Sequence, residues 1–373
     1  MSGESTEHQQ PPPGAAAPET KKERTAEDVF EPHILAKTDP EVVKIVLRGV
    51  NAGVPPPSAV PIEERRAHPD KHRPPWAQAT DGWDRVADRD VTSGDGATIP
   101  VKVYHPDPSV WGDGPYGVHF NFHGGGFVLG DLECESTICD SMREGAGVVV
   151  IDVNYRHCPE ATWGKAIEDA WAAVKWARSS AAQLKIKPDS LSVGGISAGG
   201  HISLVLQRIL RDEGVPLRIC LATVPGTTKA LFYEYYTDSP HASFHEFFRG
   251  PVLPWATIKY FGDACFPRGE LAGRLALVPD WWADPLNHDG NGWEGLGETY
   301  IRTAETDPLR DEGEAYALKL AAAGNKVSLK RYQGVPHTFM FWKGLVQKEE
   351  WDEDSIKALR VAHDTKMAPI DFA

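Results

Sequence analysis

The chain has 373 residues, 41% hydrophobic and 25% charged, an ordinary globular composition with length for one large α/β domain or two smaller ones. Its 39 Lys and Arg against 53 Asp and Glu give a net charge of −14 with no basic stripe, which argues against nucleic acid as a partner. Five cysteines, an odd number with no C-x-x-C pair, exclude a disulfide scaffold and predict buried thiols in a reducing compartment.

In chain order, the first residues have no basic stretch followed by an apolar one, and no apolar run approaches the roughly 18 residues a spanning helix needs. These features predict a cytoplasmic protein without membrane insertion. Residues 1–24 lack aromatic residues, Val, Ile and Leu and contain a PPP run. They cannot bury enough apolar area to offset the entropy of ordering, so a disordered tail is expected. Residues 25–82 read as an N-terminal wrapping segment. Within it, TDPEVVKIVLRG predicts a helix over 38–50, with Asp39 as cap, Pro40 in the first turn, Gly49 at the end and Val42, Val43, Val46 and Leu47 on one face. Seven prolines over 53–75 predict irregular backbone.

From residue 83 to 373 strands and helices alternate. The strand candidates are 98–104, 117–122, 147–153, 190–195, 218–224, 298–304 and 326–332. The helix candidates are 165–179, 198–212 and 311–323. Such alternation predicts an α/β fold with a mostly parallel twisted sheet. Residues 225–297 interrupt it. They are rich in aromatics, with 14 Phe, Tyr and Trp in 225–295, about double the whole-chain frequency, and read as an inserted helical cap.

Four elements carry chemistry. Gly195-Ile196-Ser197-Ala198-Gly199 is a G-x-S-x-G between a strand and an apolar helix, the context of a nucleophile elbow. His123-Gly124-Gly125-Gly126 follows a strand, and its glycines can turn backbone N–H groups toward a developing oxyanion. No phosphate-loop pattern fits there, and His123 reads as a packed histidine bonding to its own loop. Asp307 and His337 each follow a predicted strand, where loops converge above a parallel sheet. Histidine is a base near neutral pH, and a carboxylate fixes its tautomer. The order Ser, Asp, His is that of α/β hydrolases.

Together HGGGFVLGD, NYRHCPE, GISAGG, DPLRDEGEAYALKLAAAG and GVPHTF resemble the hormone-sensitive-lipase-like α/β hydrolases, over roughly residues 90–342. The resemblance implies the α/β-hydrolase fold. It implies Ser197 as nucleophile, Asp307 as acid and His337 as base. It implies an oxyanion hole from the N–H groups of Gly125, Gly126 and Ala198, supported by His123, Gly124, Gly195 and Gly199. It also implies a cap over the site. The expected reaction is hydrolysis of a small to medium carboxylic ester, with no metal and no cofactor. Amide or lactone hydrolysis and acyl transfer use the same groups. Plant gibberellin receptors resemble this family but lack the histidine present here. Monomers and homodimers both occur in such a family, and the residues do not choose between them. Three departures bear on substrate preference: Ile196 before the serine, Trp163-Gly164 after NYRHCPE, and Val224-Pro225-Gly226 after the strand at 218–224.

Other candidates are weaker. Asp311 and Glu305 could compete with Asp307, although Asp311 reads better as a helix cap or ion-pair partner. His241 and His245 are out of register with Glu246 for a zinc motif. His68 and His72 read as solvated, and Cys134 and Cys158 as structural. Trp255, Trp281, Trp282, Phe247 and Phe248 could line a pocket.

Overall fold

A computed structural model describes residues 23–288 and 292–367. The tail expected over 1–24 lies outside the described residues except for its last two. There the Arg24 N–H donates to Asn51 Oδ1 at 2.9 Å.

Eight strands form one sheet: β1 (Val86–Thr92), β2 (Thr98–Tyr104), β3 (Tyr116–Phe122), β4 (Val148–Val153), β5 (Ile186–Ile196), β6 (Ile219–Thr223), β7 (Glu298–Ala304) and β8 (Val327–Tyr332). Their order is β1-β2-β4-β3-β5-β6-β7-β8. β2 pairs antiparallel with β1 and β4, and every other neighbour is parallel. β3 and β4 are buried along their whole length, as parallel strands covered on both faces must be.

The principal helices are α1 (Pro40–Asn51), α2 (Ser136–Ala146), α3 (Lys165–Ser179), α4 (Ala198–Asp212), α5 (Ala242–Phe247), α6 (Trp255–Cys265), α7 (Arg310–Ala322) and α8 (Val346–His363). α3, α4 and α7 bury Val174, Leu206 and Leu320 in the larger apolar cluster. α2 and α8 bury Met142, Trp351 and Leu359 in a second one. The chain thus forms helix, sheet and helix layers. Among the described residues no helix is long and apolar enough to cross a membrane.

Several local expectations change. β1, α2 and α8 were not expected from the sequence. Asp39 does cap α1, accepting from the Glu41 N–H at 2.8 Å, but Gly49 lies inside the helix. The turn that ends it places Gly53 at φ 76°, a conformation glycine adopts without a Cβ penalty. The Pro-rich stretch holds short helices at Ile62–Ala67 and Pro69–His72, with Pro61 just before the first and Pro69 opening the second, positions where no N–H is needed. His72 is not solvated: its ring is half-buried beside Glu64.

Residues 225–297 run between β6 and β7 and contain α5 and α6. Val60 accepts a hydrogen bond from the Tyr260 hydroxyl at 3.1 Å, and His33 faces the Glu246 carbonyl at 2.8 Å. The early segment and the insertion therefore pack against one another across some 200 residues of sequence.

Candidate active site

β5 ends at Ile196 and α4 begins at Ala198, which leaves Ser197 to turn the chain alone. Ser197 has φ 57° and ψ −112°, a sparsely populated conformation for a residue with a Cβ. Its N–H donates to the Thr223 carbonyl on β6 at 2.9 Å, and its carbonyl accepts the His201 N–H at 3.0 Å. These bonds hold the turn. So do the flanking glycines. A Cβ on Gly199 would lie 1.7 Å from the Phe122 carbonyl oxygen, and one on Gly195 would lie 2.3 Å from the same atom. The serine is partly exposed, although both its neighbours are buried.

Asp307 follows β7 and is fully buried. Its Oδ1 accepts the Leu309 N–H at 3.0 Å, and its Oδ2 lies 2.7 Å from His337 Nδ1. Backbone bonds from Glu305 to Tyr332 and from Thr306 to Val335, both 3.0 Å, fix the loops after β7 and β8 together. With Nδ1–H donated to the carboxylate, Nε2 of His337 is left as the acceptor of a neutral ring. The structure thus brings Asp307 and His337 into contact and places Ser197 at the carboxyl edge of the same sheet.

The glycine loop follows β3. Gly125 and Gly126 have φ of 120° and 62°. A Cβ on Gly125 would meet the Leu129 carbonyl at 2.1 Å, and one on Gly126 would meet the ring of Phe261 from α6 at 2.4 Å. Gly125 and Gly126 donate to no acceptor among the described residues. Ala198 is the first residue of α4, so its N–H also has no partner within the helix. His123 is packed under the loop, stacked on Tyr155 at 4.4 Å, with Nδ1 2.8 Å from the Gly124 carbonyl.

The competing residues are engaged elsewhere. Asp311 accepts the Ser243 N–H at 2.7 Å and pairs with Arg310, so it ties α5 to the loop of the acid. Glu305 accepts the Gly334 N–H at 2.7 Å. Phe247 is buried in the second cluster, where Lys37 and Arg310 lie over its ring. Phe248 stacks on Tyr236, and Trp255 packs edge-on against Phe244. Trp281 packs edge-on against Trp282, whose carbonyl faces His201 Nε2 at 2.6 Å. His245 faces the Ser239 carbonyl. Among the described residues no three His, Cys, Asp or Glu side chains gather as a metal site would require. The five thiols are free.

Three supporting residues escaped the sequence reading. His201 on α4 faces the carbonyls of Gly226 and Trp282, joining the helix behind the serine to the start and to a later part of the insertion. Glu312 accepts N–H groups of Thr227 and Thr228 at 2.6 and 3.1 Å and the Thr228 hydroxyl at 2.9 Å. Burial pushes its carboxyl up to about 7 against the pull of those donors. Glu135 accepts the Gly124 N–H at 2.8 Å. Glu312 lies in the polar start of the helix expected over 311–323 and Glu135 in a stretch with no predicted element, and only their burial reveals them.

Comparison with known proteins places these features in context. A family model described as an alpha/beta hydrolase fold matches residues 119–341. Carboxylesterase NlhH of Mycobacterium tuberculosis is 36% identical over 258 residues, 69% of this chain and 76% of that protein. The ethyl acetate hydrolase of Pseudomonas putida is 31% identical over 320 residues, 83% of this chain and 93% of that protein. Among solved structures, a hyperthermophilic esterase from Pyrobaculum calidifontis superposes with TM-score 0.73 at 27% identity, covering 87% of this chain and 98% of its own. A thermostable esterase from Pseudomonas putida ECU1011 gives 0.75 at 27% identity, covering 88% and 99%.

Proposed function

This chain belongs to the hormone-sensitive-lipase-like α/β-hydrolase family and is a carboxylic-ester hydrolase, and from that premise we propose that Ser197, His337 and Asp307 are its catalytic triad. The observation that carries this reading is the buried 2.7 Å contact between His337 and Asp307 at the sheet edge that also presents the strained Ser197.

His337 Nε2 takes the Ser197 hydroxyl proton as the oxygen attacks the ester carbonyl. The carbonyl becomes an oxyanion, held by the N–H groups of Gly125, Gly126 and Ala198. One such donor is worth about 10²–10³ in rate in enzymes of this type. Asp307 keeps the imidazole in the productive tautomer and stabilises it when protonated. His337 then gives its proton to the leaving alcohol, which departs and leaves an acyl-serine. Water, deprotonated by His337, attacks the acyl carbon, and the proton returns to Ser197. The carboxylic acid leaves.

The substrate class we assign is a small to medium ester. Support comes from the ethyl acetate hydrolase and carboxylesterase relatives. It also comes from Phe261 seated on the glycine loop, which leaves little room above Gly126. We further assign residues 25–82 and 225–297 together as the cap, on the strength of the bonds between them. The retained histidine, bonded to its carboxylate, sets the chain apart from a receptor on the same fold.

A fluorophosphonate probe tests the nucleophile. Peptide mapping is expected to show a single adduct on Ser197, lost in Ser197→Ala. An adduct on another residue in active protein would overturn the assignment.

A further inference from the structure

The glycines that free the loop backbone also leave it without side chains to fix its aim. The aim of the Gly125 N–H is set by the two peptide planes before it. The plane joining His123 to Gly124 is pinned at both ends: Glu135 Oε1 accepts its N–H at 2.8 Å, and the Tyr155 hydroxyl donates to its carbonyl at 2.7 Å. The plane joining Gly124 to Gly125 contains the Gly125 N–H itself, and His123 Nδ1 meets its carbonyl at 2.8 Å. Because each plane is rigid, fixing its ends fixes the direction of the N–H it carries.

Glu135 is the member of this set with no intrinsic reason to be inside. It stands at the N-cap position of α2 without a side-chain bond to the helix, is 1% exposed and has no cationic partner among the described residues. Its other oxygen accepts from Asn121 Nδ2 at 3.0 Å, and the same amide donates to Asp152 Oδ1 at 2.9 Å. Asn121 and Asp152 are also buried, at 2% and 0%. Burying two carboxyl groups beside one amide is costly, and a role in the loop's geometry accounts for their retention.

We infer that Glu135 is a positioning residue of the ester hydrolysis: through the Gly124 N–H it aims the Gly125 N–H at the oxyanion. The inference rests on the oxyanion-hole reading given above. Asn121 orients Glu135 by donating to its far oxygen, so that the near oxygen faces the loop.

The test is steady-state kinetics on a short-chain p-nitrophenyl ester with Glu135→Gln and the double variant Glu135→Gln with Asn121→Asp. The glutamine is isosteric, but it sets an amide donor against either the Gly124 N–H or the Asn121 amide. The expected result is a fall in kcat of about 10- to 100-fold with KM changed by less than about threefold. Ser197 labelling by a phosphonate should slow in proportion, because that adduct also places an oxygen in the hole. In the double variant the carboxyl group introduced at position 121 accepts from the new side-chain amide at position 135 and from a protonated Asp152, whose carboxyl burial raises well above the usual carboxylate range. The amide carbonyl at 135 then faces the Gly124 N–H again, and most of the lost kcat should return. A role in stability alone would lower Tm without moving kcat per folded molecule. Should Glu135→Gln not fold, Glu135→Asp, which keeps the carboxyl group but withdraws it from the loop, is expected to show the same loss of kcat. Full kcat in folded Glu135→Gln or Glu135→Asp, with Ser197→Ala inactive, would overturn this inference alone. Full activity in Ser197→Ala would overturn the oxyanion-hole reading and this inference with it.

Discussion

The chemistry of the site lies in a few side chains whose types were readable from the sequence because no other residue can replace them. Ser197 needs glycines on both sides, and the 1.7 and 2.3 Å approaches to the Phe122 carbonyl show why the motif is spelled that way. Gly199→Ala is therefore expected to cost about 3 kcal/mol or more, since the obstacle is backbone of a central strand. Calorimetry showing an unchanged Tm would contradict this. Asp307 and Asp311 were both candidate acids by sequence, and their partners separate them. Asp307→Asn should lower kcat by roughly 10³–10⁴ through the wrong imidazole tautomer. Asp311→Asn should leave kcat within about threefold, because that residue bonds Ser243 and Arg310. The reverse ranking would move the acid. Glu135 and Glu312 were not legible: a glutamate in a polar stretch reads as solvated until the fold buries it.

Among the elements, the strands and helices that build the parallel sheet were legible because continuous burial leaves continuous apolar sequence, as in VVVIDV of β4. β1, α2 and α8 were hidden, and for β1 and α8 the physical reason is plain. β1 is an edge strand that buries only Val91 of VADRDVT. α8 buries Trp351, Ser355, Leu359 and His363, a regular i, i+4 stripe, but two of the four are polar and mask the apolar period. They are accommodated by bonds: Ser355 Oγ donates to the Trp351 carbonyl at 2.7 Å, and His363 meets Ser190 and Ser192 at 2.9 and 2.8 Å. Trp351 is 1% exposed, and its Nε1 donates to Thr223 Oγ1 at 3.1 Å. Trp351→Ala should cost about 3–5 kcal/mol, from the cavity and the orphaned hydroxyl. Denaturant unfolding with an unchanged midpoint would contradict that packing.

At the scale of the whole molecule, the three-layer architecture was readable, but the meeting of distant segments was not. Nothing in a proline-rich stretch announces that Val60 will bond Tyr260. The pH dependence of stability also belongs here. Burial raises Glu312 from an ordinary 4.5 to about 7. The stability that its protonated form brings is complete below pH 4.5 and is lost as pH rises through 7, at most about 3 kcal/mol. His119 and His363 act in the opposite sense. Burial lowers them to about 3 and about 4, so their contribution is complete above pH 6.5 and is lost as pH falls. Glu312→Gln should accordingly gain Tm relative to wild type between pH 5 and pH 8. A constant difference across that range would mean that Glu312 does not titrate there.

Every role assigned around the sheet edge depends on ester hydrolysis proceeding through Ser197. The most direct test is turnover of p-nitrophenyl esters from acetate to decanoate by wild type and Ser197→Ala side by side. Wild type is expected to turn over, fastest on the shorter acyl chains, and the variant to lose about 10⁵-fold or more, with its fold intact by circular dichroism. Comparable turnover by both proteins would contradict a serine mechanism at this position.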